Sequence, residues 1–403
     1  MSLFRNKIYL AVTLGHLTLD IFNNAGPVLV TFLSVPMGLS TAQIGLAVGS
    51  YQFVSSLIQP FFGWLADKIG SRWLGPGSVT WTISFLVLAV WVAQQTNNFA
   101  LFLMLFVIGS LGSGAFHPLG TKHAADESGN RTATGTAVFF GFGQTGLALG
   151  PVLAGLILEF IGVKGIYGLA LLALPVLIFM FYSMRQVHGE PHALSQPAKP
   201  ALTAPPEAIR WGAIGVLALL VGLRSWAFLG TVAFLPKIFQ DMNWSATGYG
   251  LITGTFWFAS ALTGAVAGGL ADRWGRRPMV FMTLFLGAIP LYFLPLNSGW
   301  QAFPLAVVAG GLLGASHSIL VVIAQDLLPL RKAFASGITL GFLFGVGAVA
   351  TWSIGQLADV WGLTLLIQLG AGIGILSALL ALVLPRTREV TFEPLESTPV
   401  STL

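Results

Sequence analysis

An all-α membrane protein of twelve transmembrane helices, set as two pseudo-symmetric six-helix bundles, is the fold class this chain predicts. Three observations lead there. The chain is 55% hydrophobic and only 8% charged, with a mean hydropathy of +0.83, whereas a soluble domain carries about 25% charged residues. It contains twelve apolar segments near or above the roughly 20 residues that a membrane-spanning helix needs. It also repeats itself: GWLADKIGSR (Gly63–Arg72) and GGLADRWGRR (Gly268–Arg277) agree at six of ten positions and start 205 residues apart, about half of the 403-residue chain.

The twelve segments lie near 7–33, 42–65, 74–94, 98–121, 132–160 and 165–185, then 209–236, 247–270, 278–297, 300–327, 333–358 and 361–384. The first bundle is therefore 1–185 and the second 209–384. Between them, 186–208 is rich in Pro and Ala and reads as an irregular cytoplasmic linker. The tail 385–403 is short and polar and is expected to be disordered. Glycine is abundant, at 49 residues, as suits helices whose backbones approach closely in lipid.

Lys and Arg set the orientation. Sixteen of nineteen fall on one side of the twelve-span plan; Lys164 and Lys237 fall on the other, and Arg224 falls inside a span. Both termini and the linker are thereby expected in the cytoplasm, with the protein in the plasma (inner) membrane. The net charge of +5 reads as topology, with no nucleic-acid partner implied. The first apolar segment is too long for a cleavable signal and carries an Asp at its middle. With no Cys in the chain, disulfides, thiolate metal sites and Cys nucleophiles are excluded.

The repeat runs further. GAFH (Gly114–His117) mirrors GASH (Gly314–His317), and GLILEFIG (Gly155–Gly162) mirrors GQLADVWG (Gly355–Gly362), placing Glu159 opposite Asp359. Both acids are expected to be solvated near the outer face. Two like membrane halves with a site between them is the plan of many secondary transporters. Features shared by the halves read as scaffold, and features of one half as candidates for function.

The repeated G-x-L-a-D-r-x-G-r pattern between spans 2 and 3 and between spans 8 and 9 resembles the signature of the major facilitator superfamily. GLALGPVLAG (Gly146–Gly155) is similar to the motif of its proton-driven exporters, with Gly146, Gly150, Pro151 and Gly155 at motif positions and Ala154 replacing one Gly. Within the superfamily, GHLTLDIFNN (Gly15–Asn24), YQFVSSLIQP (Tyr51–Pro60), GSGAFHP (Gly112–Pro118) and LRSW (Leu223–Trp226) resemble the fosmidomycin-resistance family of efflux proteins. The resemblance implies the major facilitator fold and alternating access about a central cavity. It implies a proton-coupled antiporter, of drug-efflux type, exporting a small amphipathic or anionic compound. One departure stands out: many proton-coupled exporters carry an Arg in span 4, and Phe106–Gly114 has no basic residue, so any coupling group must sit elsewhere.

Asp20 is the sharpest candidate. It lies mid-span, where an ionised side chain costs about 2.5–3.5 kcal/mol on insertion scales. His16, Asp20 and Asn23/Asn24 share one helix face, and Pro27 is expected to weaken the same helix. A dry site makes proton binding by Asp20 feasible, with His16 beside it; the bland alternative is a structural carboxylate. Arg224 sits in the middle of span 7, the counterpart of span 1. It cannot lose its proton, so it needs an anion, either Asp20 or a substrate group. Exchange of Arg224 between the two would couple proton and substrate occupancy, and a permanent ion pair is the structural alternative.

Further substrate contacts are expected from Gln52, Ser55, Ser56 and Gln59, a polar stripe on span 2 without a Gln counterpart in span 8. Ser113 and His117 on span 4, Gln144 on span 5 and Trp226 after Arg224 complete the set. Interhelical hydrogen bonding explains many of these equally well. His117 suits proton transfer near neutral pH, although His317 mirrors it and points to structure. His residues scattered over spans 1, 4 and 10, with no carboxylates expected beside them, predict no metal site. At the cytoplasmic surface Asp67, Lys68, Arg72, Asp272, Arg273 and Arg277 are expected, from the resemblance, to latch the halves when that side closes; simple positive-inside anchoring is the alternative.

No P-loop occurs, so an ion gradient rather than ATP is expected to drive transport. The expected partners are a small-molecule substrate, protons and the lipid bilayer, with the monomer as the working unit and no cofactor. A proton-coupled symporter importing a small organic anion or other solute is the alternative of the same fold. A polytopic enzyme would need a clustered acid–base or metal constellation, and a scaffold would leave Asp20 and Arg224 without purpose, so no enzyme activity is expected.

Overall fold

The computed structural model describes residues 3–185, 210–327 and 332–385. The expected linker 186–208 and all but Pro385 of the expected tail lie outside the described residues. The described chain is helical, without strands, as expected. The first half comprises α1 (Lys7–Met37), α2 (Thr41–Ile69), α3 (Leu74–Thr96), α4 (Phe99–Asp126), α5 (Thr132–Phe160) and α6 (Gly165–Met184). In the second half, α7 (Trp211–Ser225) and α8 (Thr231–Asp241) form one span through the π-helical turn Trp226–Gly230. α9 (Ala246–Trp274), α10 (Arg276–Phe293), α11 (Ala302–Leu327), α12 (Lys332–Trp361) and α13 (Leu363–Ala381) follow.

Ten of the twelve spans qualify as membrane-crossing by length and hydropathy. The other two are α1 and α2, of 31 and 29 residues. They are long enough, but His16, Asp20, Asn23 and Asn24 in α1 and the Gln and Ser residues of α2 dilute their hydropathy. The helices least like lipid-facing spans are thus the ones that carry the polar site. α1 also runs unbroken through Pro27 to Met37, so the expected weakening there does not end it.

Local sequence sets the ends. The Asn6 side chain accepts the Ile8 and Tyr9 N–H groups at 2.9 and 3.1 Å and starts α1. Gly38, at φ 62°, closes it in the left-handed conformation that glycine adopts without penalty. At α2, Ser40 and Gln43 form a reciprocal capping box.

Opposed faces of the bundle differ. One, the basic face, carries the connections at 70–73, 127–131 and 275, with Lys68, Arg72, Arg131, Arg273 and Arg276 in or beside them; the other is the far face. The halves meet toward the far face, along α2 with α12 and α5 with α9. A Cβ added to Gly45 would lie 2.9 Å from the Gly355 Cα and from the Thr351 carbonyl oxygen. The backbones of Gly155 and Gly250 touch in the same way at the α5–α9 seam. Toward the basic face, Gly141 of α5, Gly264 and Gly268 of α9, and Gly341 and Gly345 of α12 have open space where a Cβ would stand. The halves therefore close at the far face and part toward the basic face.

Several hydrogen bonds join the halves at the closed end. Gln240 donates from Nε2 to the Thr31 carbonyl at 2.9 Å. Asp359, ending α12, accepts the Thr41 and Ala42 N–H groups of α2 at 3.0 and 3.2 Å. Glu159, ending α5, accepts the Thr247 N–H of α9 at 2.8 Å. Both acids are exposed to solvent, as expected, and both also bind across the seam. Each satisfies backbone donors that the first turn of a helix leaves without a partner.

Candidate functional site

The polar centre of the first half is built from α1, α2, α4 and α5. Asp20 is 4% exposed. His16, one turn earlier on the same face, places Nε2 3.2 Å from Asp20 Oδ2. His117 of α4 places its Nε2 3.5 Å from Oδ1. Asn23 donates from Nδ2 to Oδ1 at 3.0 Å and to Ser113 Oγ at 3.0 Å. Ser55 donates to Ser113 Oγ at 3.2 Å, and Tyr51 donates to Asn23 Oδ1 at 2.6 Å.

The imidazoles are oriented from behind. His16 Nδ1 lies 3.0 Å from the Phe139 carbonyl oxygen, and its ring stacks on Phe139 at 4.1 Å between centroids. His117 Nδ1 lies 2.8 Å from the Ser113 carbonyl oxygen. A carbonyl oxygen only accepts, so both Nδ1 atoms carry hydrogen and both Nε2 atoms are turned toward Asp20. A metal cluster was not expected from sequence, because His16 and His117 are far apart along the chain. The packing of α4 on α1 nonetheless gathers the group: His16, Asp20 and His117 bring ligand atoms within 4.8 Å of one another.

The second half holds a charge of the opposite sign. Arg224 is 1% exposed. Its Nε donates to Ser316 Oγ and its Nη2 to the Leu313 carbonyl, both at 3.1 Å, and its guanidinium lies 4.5 Å above the Phe228 ring. Of the two partners expected for Arg224, Asp20 or a substrate group, Asp20 is not engaged in this conformer. The guanidinium is engaged by α11 and Phe228, and the carboxylate by two imidazoles and an amide. The repeat is visible here with its chemistry inverted: His117 faces Asp20, whereas the mirrored His317 has Arg224 as its charged neighbour.

The Major Facilitator Superfamily model matches this sequence over residues 11–237 and 214–403. The chain is a member of the Major Facilitator Superfamily. The fosmidomycin resistance protein of Escherichia coli (strain K12) is 28% identical over 382 residues, covering 94% of this chain and 92% of that protein. The uncharacterized MFS-type transporter YfnC of Bacillus subtilis (strain 168) is 28% identical over 365 residues, covering 89% and 88%. Among solved structures, the D-xylose-proton symporter superposes with a TM-score of 0.73 at 17% identity, covering 95% of this chain and 98% of that one. The nucleoside transporter NupG superposes with a TM-score of 0.69 at 14% identity, covering 94% and 98%. These likenesses establish the facilitator fold and the expected resemblance to the fosmidomycin-resistance proteins.

Within this facilitator, the other predicted residues divide. Ser55, Ser113 and Asn23 join the Asp20 network. Asn24 instead commits its amide to the Leu147 carbonyl of α5, and Ser56 bonds back to Phe53 of its own helix at 2.9 Å. Gln52, Gln59, Gln144 and Trp226 are half-buried and stand outside the network. Gly146 and Gly150 press against α1: a Cβ at Gly146 would lie 2.9 Å from the Asp20 Cβ. Pro151 and Gly155 lie instead on the α9 seam, where Gly250 meets both. Thus the motif clasps the helix that carries Asp20 and then the opposite half.

At the basic face the predicted latch residues pair within their own halves. Lys122 binds Asp67 at 2.8 Å, Lys68 lies over Trp64 and Arg72 over Trp73. Arg276 bridges Asp272, at 3.8 Å, and Asp326. Arg273 is exposed and Arg277 half-buried. Sequence reasoning missed Tyr51 and the Phe139 carbonyl. Tyr51 had a signal: it stands one turn before Ser55 on the polar face of α2. Phe139 acts through its backbone and had none.

Proposed function

We propose that this facilitator is a proton-coupled antiporter that exports a small amphipathic or anionic compound by alternating access. The observation that carries the reading is the buried Asp20 carboxylate held by His16 and His117. A proton on this cluster changes the charge of the membrane interior by one unit, which an exchange cycle needs in order to distinguish its loaded and unloaded states. Asn23, Ser55, Ser113 and Tyr51 keep the carboxylate aligned. Arg224 supplies a permanent positive charge, and among the described residues it is ion-paired to no carboxylate. That favours a substrate bearing negative charge.

By the positive-inside rule the basic face is cytoplasmic. The conformer described is then the inward-open one, ready to load a compound from the cytoplasm, with Glu159 and Asp359 holding the far side shut. Closure of the basic face would bring Asp67, Lys68, Arg72, Asp272, Arg273 and Arg277 toward the opposite half. One chain holds both halves of the pathway, so the monomer is the functional unit.

The likeness to the fosmidomycin resistance protein makes fosmidomycin the first compound to test in a growth screen against toxic compounds. The compound so identified is then followed in proteoliposomes with an imposed pH gradient. Wild-type protein should move it against its gradient, in the direction opposite to the proton flux. Asp20→Asn should lose this drive and keep substrate exchange at equal pH. Flux in the same direction as protons would establish an importer instead, and unchanged drive in Asp20→Asn would remove the coupling role.

A further inference from the structure

The His16–Asp20–His117 cluster carries a second chemistry. We propose that these three side chains form a binding site for a divalent transition cation of the Zn2+ class, through His16 Nε2, His117 Nε2 and the Asp20 carboxylate. Three independent features of the geometry support it.

The first is spacing. A tetrahedral ion bound at about 2.0–2.1 Å has ligand–ligand edges of about 3.3–3.4 Å. The two imidazole–carboxylate separations, 3.2 and 3.5 Å, bracket that edge, and all three ligand atoms lie within 4.8 Å of one another. The two separations run to the two oxygens of one carboxylate, and side-chain rotation must close the remaining imidazole–imidazole edge around the ion.

The second is the state of the ligands. Both Nδ1 atoms donate to backbone carbonyls, those of Phe139 and Ser113. When the rings are neutral, each directs a bare Nε2 lone pair at a carboxylate, which is itself only an acceptor when ionised. In that state three electron-pair donors converge, and a metal cation satisfies them as a proton otherwise would. The same arrangement, a ligating His whose other nitrogen donates to a backbone carbonyl, is how proteins fix the tautomer and orientation of metal-bound imidazole. Asn23, donating to Asp20 Oδ1, holds the carboxylate in the same way.

The third is access. His16 and Asp20 are closed off, at 4% and 6% side-chain exposure, but the His117 side chain is 27% exposed. An ion can enter past His117, and a water or another small ligand can complete its coordination there. Two imidazoles and one carboxylate favour Zn2+, Co2+ or Fe2+ over Ca2+ and Mg2+, which prefer all-oxygen shells.

The test uses the purified full-length protein in detergent, with Co2+ as a coloured probe and Zn2+ as competitor. Wild-type protein should bind about one Co2+ per chain, show visible d–d absorption from a low-coordinate nitrogen–oxygen site, and lose it to Zn2+. Asp20→Asn and His117→Gln should each weaken binding by at least about tenfold, the loss seen when even a supporting residue of a metal site is removed. His117→Gln removes a partly exposed ligand, so it reports even if Asp20→Asn fails to give monodisperse protein. The variant His123→Gln/His188→Gln/His192→Gln lacks the other His residues except His317 and should bind like wild type. Absence of Co2+ uptake by wild type, unchanged affinity in His117→Gln, or loss of binding in the triple variant would each overturn the site.

Discussion

Glu159 Oε2 accepts the backbone N–H of Thr247 at 2.8 Å, across the seam between the two halves. Its repeat partner Asp359 does the same for Thr41 and Ala42 at 3.0 and 3.2 Å. Each acid thus caps the first turn of a helix belonging to the other half, where backbone donors are free and the helix dipole favours negative charge. The two contacts are symmetric, and both must break for the far face to open.

Replacing either acid by its amide keeps an acceptor oxygen and removes the charge. Glu159→Gln and Asp359→Asn should therefore shift the population toward conformers open at the far face, the double variant most. The absence of native Cys permits clean spin labelling of Gln95→Cys and Ser298→Cys, exposed far-face positions in opposite halves. Distance distributions between the labels should gain a longer component in each amide variant. An unchanged distribution in the double variant would show that the caps do not hold the far face.

Gly150 sits where α5 meets α1. A Cβ there would lie 3.0 Å from the Ala25 amide nitrogen and 3.2 Å from the Asn24 carbonyl carbon, both rigid backbone. Gly150→Val should force α1 and α5 apart and cost about 1–3 kcal/mol, as overpacking does. Thermal unfolding followed by Trp fluorescence should show a lower midpoint. Gly168→Ala, whose Cβ would meet nothing within 4 Å, should not lower it.

Tyr51 reaches Asp20 only through Asn23. Its hydroxyl donates to Asn23 Oδ1 at 2.6 Å, which leaves the Asn23 amide to face Asp20 and Ser113. Tyr51→Phe removes one hydrogen bond, about 1 kcal/mol, or about fivefold in the step it supports. Gradient-driven transport should fall by about that factor, while substrate exchange at equal pH stays unchanged. Equal losses in both assays would make Tyr51 a substrate contact instead.

The sequence showed clearly what lipid itself enforces. In hydrocarbon every backbone polar group must be satisfied within its own segment, so twelve long apolar runs could only be twelve helices. Asp20 and Arg224 stood out because ionisable groups in that setting are costly. What stayed hidden depends on contacts between distant segments. His117 meets Asp20 because α4 packs on α1, and no local spacing encodes that meeting. Arg224 finds Ser316 and the Leu313 carbonyl rather than Asp20, since its donors are satisfied within its own half. Glu159 and Asp359 are solvated as expected, but their cross-seam partners are backbone N–H groups, which carry no side-chain signature. The π-helical turn at Trp226–Gly230 likewise has no signal in the local sequence.

Arg224 separates stability from function more sharply than any other residue here. It is buried, it donates two hydrogen bonds, and among the described residues no carboxylate neutralises it. Burying a guanidinium without a counter-charge costs several kcal/mol, so the fold does not gain from the charge. Arg224→Met keeps much of the side-chain volume and removes that cost. Both former acceptors remain served, since Ser316 Oγ itself donates to the Leu313 carbonyl at 2.7 Å. The variant should therefore unfold at the wild-type temperature or above, yet lose most transport of an anionic substrate. Arg224→Lys keeps the charge without the planar fork and should retain part of that transport. Thermal melts and flux assays on the two variants together decide it: a large drop in unfolding temperature for Arg224→Met would show that Arg224 is a structural element, and full transport would show that its charge does not act on the substrate.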